Sequence, residues 1–243
     1  MDRATSFTRL MAKLPDWEVV AYDRRGYGHS SGVEAPLDFA QQVADLVEIA
    51  GRESGSGPVL AFGHSLGGDI VLAALERYPG IFDAAVIWEA PMPWLEFWPK
   101  DSPSRGGGND LGPEERAEWF MRRMVGDRLW ERLPAATRSA RRSEGATLDT
   151  DFSYLAGGAV FDPAAISDPV TVGFGGNSRH HQRLAAKELA ASLPRSFIVE
   201  IPDAGHGAHL SHPGEVANLI RNLARALDGE NQAGRGTGSE TPP

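Results

Sequence analysis

Residues 58–75 read PVLAFGHSLGGDIVLAAL, and this stretch decides the fold. A strand-type apolar run leads into Gly63-His64-Ser65-Leu66-Gly67, and a helix-type apolar run follows at once. The pattern predicts a buried strand, a sharp turn and a helix. A serine at the tip of such a turn takes a strained backbone conformation, and flanking glycines let strand and helix approach closely. We therefore expect the Ser65 hydroxyl to lie beside the positive end of a helix dipole, which suits an oxyanion.

Length and composition fit one soluble α/β domain. The chain has 243 residues, a formal net charge of -9 and no cysteine. The negative charge disfavours a nucleic-acid partner, because the surface would repel phosphate. Without cysteine, neither a disulfide framework nor a thiolate metal site can form. No apolar run is long enough for a membrane span, and no signal-peptide pattern opens the chain, so we expect a cytoplasmic protein.

Strand-type runs alternate with helix-type segments along most of the chain. Such alternation predicts a parallel sheet with right-handed crossovers, which is the α/β class. Besides the run before Ser65, the strand-type segments are residues 17–22, 84–88, 169–174 and 196–201.

The alternation stops between residue 92 and about residue 160, where helical patterns follow a segment rich in proline and glycine. We expect residues 1–91 and 161–228 to form the core, residues 92–160 to be a helical insertion and residues 229–243 to be a disordered tail. The insertion carries several large aromatic side chains. The candidates for lining an apolar substrate pocket are Trp94, Trp98, Trp119 and Phe120. Their helical spacing fits packing in a hydrophobic core equally well.

The turn at Ser65 resembles the nucleophile elbow of the α/β-hydrolases. The segment DRRGYGHS, residues 23–30, is similar to the D-x-R-G-x-G-x-S segment after that family's fourth strand. Residues 92–160 look like the helical cap inserted after its sixth strand. The resemblance implies a predominantly parallel, doubly wound sheet. It also implies Ser65 as the nucleophile, the Leu66 N–H as an oxyanion donor, and neither a metal nor another cofactor.

A serine hydroxyl needs a base within hydrogen-bond reach. His206 follows the last strand-type segment and resembles the family's catalytic histidine. His64 adjoins the nucleophile and is expected to point away from it. His209 and His212 follow His206 at three-residue spacing, but no acidic ligand accompanies them, so the pattern does not indicate a metal site.

The acid of the triad is the least determined member. In most of the family an aspartate follows the seventh strand, but here that loop holds Asn177, a neutral amide. An alternative known in the fold puts the acid at the end of the sixth strand, where Glu89 stands. We therefore predict Glu89, with Asp162 and Asp168 as the alternatives. A lone charge that ends a buried strand needs a partner, which also favours Glu89.

The resemblance begins at the family's first helix. The segment from Met1 to Phe7 looks like the part that normally follows the third-strand loop, which supplies the second oxyanion donor. We therefore expect an α/β-hydrolase fold that lacks the first strands and part of the oxyanion hole.

Two functions follow from these patterns. The first is a serine hydrolase acting on an ester-like, acyl small-molecule substrate, and a serine rather than an aspartate at the elbow separates it from carboxylate-nucleophile chemistries. The second is a catalytically impaired or non-catalytic homologue. The sequence determines neither the substrate nor the oligomeric state.

Overall fold

The computed structural model describes residues 2–36, 38–53 and 57–236. In these residues one four-stranded sheet forms in the order β1-β2-β3-β4, and every neighbouring pair is parallel. The strands are β1 (Leu60–His64), β2 (Ala84–Trp88), β3 (Val170–Gly175) and β4 (Ser196–Ile201). The predicted α/β class with a parallel sheet is therefore confirmed.

The central strands β2 and β3 form the core of the sheet. Every residue in both is buried, as expected for strands of a parallel sheet that is covered on both faces. The packing is tight at Gly173, where a Cβ atom would lie 2.7 Å from the Trp88 ring. Strand β4 lies at the sheet edge and leaves Phe197 and Ile198 about half exposed, at 56% and 47%.

Ten helices are present in the described residues, with short 3-10 turns between some of them. They are α1 (Thr8–Met11), α2 (Phe39–Glu53), α3 (Leu66–Arg77), α4 (Pro113–Val125), α5 (Asp127–Arg132), α6 (Ala135–Arg142), α7 (Gly145–Ala156), α8 (His180–Ser192), α9 (Ala208–Ser211) and α10 (Pro213–Gly236). Helix α10 continues past residue 229, where the sequence predicted the start of a disordered tail, and residues 237–243 lie outside the described residues. Across the described ranges, no helix combines the length and apolarity that a bilayer crossing requires.

The chain divides into two compact units. The first contains the start of the chain through Thr8, Val19–Ala44 and Met92–Val160. The second contains Arg9–Glu18, Asp45–Pro91 and the chain from Phe161 onward. The sheet belongs to the second unit, where α3, α8 and α10 pack against its strands.

A buried polar network holds the first unit together. The Asp151 carboxylate accepts two hydrogen bonds from the Arg24 guanidinium, at 2.8 and 3.1 Å, and one from the Tyr27 hydroxyl at 2.6 Å. The Gln42 amide donates a further bond at 2.7 Å. Burial would raise the pKa of Asp151, but the Arg24 charge and these hydrogen bonds hold it below its ordinary value. The 23–30 segment is thus anchored to α7.

The strand expected at residues 17–22 is not formed. In the described part of the chain this segment makes no ladder with any of the four strands, and Val20 is 48% exposed. The prediction was wrong because apolar, β-branched composition favours a strand only where a neighbouring strand completes the hydrogen-bond ladder.

Candidate active site

The turn at Ser65 joins β1 directly to α3. Strand β1 ends at His64, helix α3 begins at Leu66, and Ser65 between them has φ 52° and ψ -131°. Its N–H donates to the Trp88 carbonyl at 2.9 Å, which ties the turn to β2. Leu66 is the first residue of α3, so its N–H is one of the orphan donors at a helix N-terminus. The arrangement presents a serine beside an unpaired, dipole-reinforced N–H group.

An added Cβ atom would meet close neighbours at two glycines around this turn. A Cβ atom on Gly63 would lie 2.6 Å from the Gly68 Cα atom, and one on Gly68 would lie 3.0 Å from the side chains of Ile87 and Ala90. Contacts at 2.6 Å with backbone cannot be relieved by a side-chain rotation. Apart from its chain neighbours and the backbone of its own helix, no atom of the described residues lies within 4 Å of a Cβ added to Gly67, so packing does not explain that glycine. The close approach of strand and helix therefore depends most strongly on Gly63.

Glu89 follows β2 and, like Ser65, has a positive φ. Among the described residues, these two are the non-glycine residues with positive φ, and the φ of Glu89 is 49°. Such conformations cost free energy and concentrate at functional sites. The Glu89 side chain is buried, with a residue exposure of 2%.

Both oxygens of the Glu89 carboxylate take part in hydrogen bonds. Oε2 lies 2.8 Å from His206 Nδ1, and Oε1 accepts the Gly175 N–H at 2.8 Å and the Ser178 hydroxyl. Burial raises the pKa of a carboxyl group, but here the hydrogen bonds and the charge of His206 outweigh it and hold the pKa of Glu89 below its ordinary value. Glu89 is therefore ionised at neutral pH and can orient an imidazole.

His206 lies in the loop between β4 and α9, and its side chain is 23% exposed. Its ring packs at 4.6 Å against the ring of His64, which in turn packs at 4.4 Å against His209. His64 Nε2 also donates a hydrogen bond to the His206 carbonyl at 2.8 Å. The sequence did not predict this role for His64, which supports the loop that carries His206.

Two further side chains contact the Glu89–His206 pair and were missed by the sequence analysis. Ser178 donates to Glu89, and Gln182 Nε2 lies 3.0 Å from His206 Nδ1. Both residues are 8% exposed. No local sequence pattern signals either contact, because each one joins segments that are separate in the chain.

The structure brings Glu89 and His206 together, and it positions Ser65 at the elbow. No hydrogen bond joins the Ser65 hydroxyl to the His206 ring within the described ranges. Hydrogen bonds of this kind are often long in enzymes without substrate and tighten when substrate binds.

The two alternative acids lie elsewhere. Asp162 caps a short 3-10 turn by accepting the Ala164 N–H at 3.0 Å. Asp168 precedes β3, at the amino end of the strand, whereas Glu89 follows the carboxyl end of β2. Ligands and reacting groups of parallel sheets gather at the carboxyl ends of the strands. Of the three candidates, Glu89 is the one that follows the carboxyl end of a strand, and its role as the acid stays a prediction.

The predicted pocket residues belong to the first unit and pack within it. Trp98 is buried. The Arg123 guanidinium lies over the Trp119 ring, 5.7 Å from the ring centroid. The Phe120 ring packs edge-on against the Phe152 ring, with 5.3 Å between the centroids. Their role in lining a pocket stays a prediction. A cavity of about 370 Å³ in this unit is charged rather than apolar, with lining residues that include Glu118, Arg122, Trp130, Glu131, Arg138 and Arg142.

Metal binding has little support within the second unit taken alone. His64 and His209 lie close enough to share an ion, but two ligands are fewer than a metal site needs. His64 Nε2 is also engaged by the His206 carbonyl.

Several known proteins are similar to this chain. A thermophilic esterase from Thermogutta terrifontis has a TM-score of 0.69 at 21% identity, with 93% of this chain and 86% of that chain covered. An enol-lactonase from Burkholderia xenovorans has a TM-score of 0.68 at 18% identity, with 91% and 86% covered. These identities establish similarity of fold.

A monoacylglycerol lipase from Mycolicibacterium smegmatis is 40% identical over 73 residues, which span 28% of this chain and 26% of that protein. The profile of the alpha/beta hydrolase family matches residues 2–219, most of the chain. The chain therefore belongs to the alpha/beta hydrolase family.

Proposed function

We propose that the protein is a serine hydrolase that cleaves an ester-like bond of a small-molecule substrate. The observation that carries the proposal is the 2.8 Å contact between Glu89 Oε2 and His206 Nδ1, in the same unit as the strained serine at the elbow. Family membership and the names of similar proteins, an esterase, a lipase and a lactonase, support the same class of reaction.

The proposed acylation step uses three residues and one backbone donor. The Ser65 oxygen bonds to the acyl carbon while His206 Nε2 takes the hydroxyl proton, and the carbonyl oxygen becomes an oxyanion beside the Leu66 N–H. Glu89 holds Nδ1 protonated, which leaves Nε2 free to act as the base. The bond from the acyl carbon to the leaving oxygen then breaks, and that oxygen takes the proton from Nε2.

The deacylation step repeats this chemistry with water. A water molecule gives a proton to His206 Nε2 and bonds to the acyl carbon. The bond to Ser65 then breaks, Ser65 regains its proton and the carboxylic acid leaves. No cofactor takes part in this scheme.

A non-catalytic role is the second candidate, and the missing hydrogen bond between Ser65 and His206 in the described residues favours it. Hydrolysis of p-nitrophenyl acetate and butyrate by the wild type, Ser65→Ala and Ser211→Ala separates the two. The control serine is exposed, and its hydroxyl hydrogen-bonds with the Gly207 carbonyl and with His212 Nδ1 at the two ends of α9. Hydrolysis that is lost only in Ser65→Ala supports the enzyme. Equal rates in all three proteins overturn it in favour of the non-catalytic role.

A further inference from the structure

Strand β4 lies at the edge of the sheet, and its outer side is open. Among the described residues, β3 is the one strand that pairs with it. Phe197 and Ile198 lie on opposite faces of the strand, because side chains alternate along it, and both are about half exposed. From Ser196 to Ile201 the strand contains neither lysine nor proline, the residues that commonly keep an exposed edge from pairing. The edge is therefore suited to pairing with another strand.

The backbone groups that point out of the sheet come from alternate residues of β4. The carbonyls of Arg195 and Ile201 accept hydrogen bonds, at 2.9 and 3.0 Å, from N–H groups at the start of β3 and just after its end. These two carbonyls therefore face β3, and the direction of the backbone groups reverses at each residue along a strand. It follows that Ser196, Ile198 and Glu200 direct their N–H and C=O groups away from β3.

A second copy of the same strand fits this edge in one antiparallel register. With Ile198 opposite Ile198 of the other copy, Ser196 of each copy lies opposite Glu200 of the other. Each of the three resulting pairs then exchanges two backbone hydrogen bonds. A shift by two residues in either direction brings Pro194 or Pro202 into a pair, and proline has no N–H to donate. The register centred on Ile198 thus uses every outward N–H of the strand.

The side chains and charges in this register are complementary. Phe197 lies opposite Val199 of the other copy, in a pair without backbone hydrogen bonds, where side chains come closest. Glu200 faces a serine rather than another carboxylate, so no like charges lie directly opposite one another. Arg195 precedes the strand, Asp203 follows it, and both are exposed. The antiparallel arrangement brings the Arg195 end of each strand beside the Asp203 end of the other, so opposite charges meet at both ends.

We propose that β4 is a dimerisation edge, at which two copies of this chain join their sheets antiparallel about a two-fold axis at Ile198. Such an axis makes every contact occur twice, as in other homodimers with two-fold symmetry. The two four-stranded sheets of the described residues then continue as one sheet of eight strands. The proposal does not depend on the proposed catalytic function.

Two substitutions with the same change of charge test whether this edge holds the dimer together. Ile198→Lys places two ammonium groups opposite one another, whereas the control Leu129→Lys changes a side chain of similar exposure on α5. The assay is size-exclusion chromatography with light scattering. At about 100 µM the wild type and Leu129→Lys should have the mass of two chains, and Ile198→Lys should raise the dissociation constant at least about tenfold. A monomeric wild type at that concentration, or equal dissociation constants for the two variants, overturns the proposal.

Cross-linking tests the register, because the chain has no cysteine of its own. In a hydrogen-bonded pair of antiparallel strands the Cα atoms are about 5.5 Å apart, a distance that a disulfide spans. Ile198→Cys should therefore form a covalent dimer under mild oxidation. The matched control is Glu200→Cys, on the same face of the strand, which should stay monomeric under denaturing conditions because its two copies lie roughly 14 Å apart. Any other pattern of cross-linking overturns the pairing about Ile198.

Discussion

Glu89→Gln is the substitution that bears most strongly on the proposed triad. The Glu89 carboxylate accepts hydrogen bonds from three groups, His206 Nδ1, the Gly175 N–H and the Ser178 hydroxyl. Glutamine has one acceptor oxygen and an NH2 group, so one of these donors must face another donor. If the amide oxygen of the new glutamine accepts from Gly175 and Ser178, the glutamine NH2 group faces His206 Nδ1. It then stabilises the His206 tautomer with the proton on Nε2, and that tautomer cannot act as the base.

The expected loss in kcat for Glu89→Gln is about 10²- to 10⁴-fold, the range for removal of a triad acid. The matched control is Ser178→Ala, which removes one bond to Oε1 and leaves the Oε2 contact with His206 intact; we expect less than about a tenfold loss. The assay is hydrolysis of one p-nitrophenyl ester, with circular dichroism to verify the fold. A near-native rate in Glu89→Gln, with the loss found instead in Asp162→Asn or Asp168→Asn, would refute the assignment.

The same variant has a signature in stability. Because the pKa of Glu89 is lowered in the folded state, its carboxylate stabilises the fold above the ordinary value of 4.5. That stabilisation is lost as the pH falls through the lowered folded-state value. The melting temperature of the wild type should therefore exceed that of Glu89→Gln most clearly near pH 7, and the difference should shrink below pH 4.5.

Three further predictions concern stability and are checked by thermal unfolding. Gly63→Ala should destabilise the fold by about 3 kcal/mol, because its Cβ would lie 2.6 Å from backbone atoms. The control Gly67→Ala should cost less than about 1 kcal/mol. Equal losses of stability in the two variants would contradict the elbow geometry. Asp69 is fully buried, and its carboxyl oxygens have no hydrogen-bond partner among the described residues. Burial raises the pKa of Asp69 above its ordinary value of 3.8. The free energy of unfolding therefore falls as the pH rises from 3.8 toward the raised pKa. Asp69→Asn should therefore raise the melting temperature at pH 8 by more than at pH 4, and a uniform change would count against a buried neutral carboxyl. Asp151→Asn should cost about 3 kcal/mol by leaving the Arg24 charge uncompensated, and a neutral effect would exclude that role of the ion pair.

The sheet was largely predictable from the sequence because its signals are local. The segments expected at residues 84–88 and 196–201 match β2 and β4, and the run before Ser65 gave β1 to within two residues. Residues 17–22 have the same composition but form no strand, because strand formation also requires a neighbour, and composition does not report one.

The site was less predictable because its contacts join distant parts of the chain. Glu89 was predicted because the family resemblance places an alternative acid at the end of the sixth strand, and the structure joins it to His206, 117 positions away in the sequence. Ser178 and Gln182 contact this pair through packing of the loop after β3 and the start of α8, which no local pattern specifies. That His64 points away from the nucleophile stays a prediction, and its ring supports the His206 loop, a contact that only the folded chain creates.

The most direct test of the proposed serine chemistry is covalent labelling by a fluorophosphonate, followed by peptide mass spectrometry. The reaction needs an activated serine and does not depend on the natural substrate. The account predicts that the wild type gains one adduct at Ser65, that His206→Ala reacts at least about 10²-fold more slowly, and that Ser65→Ala gains none. An adduct at another serine, or no adduct in a folded wild type, would contradict it.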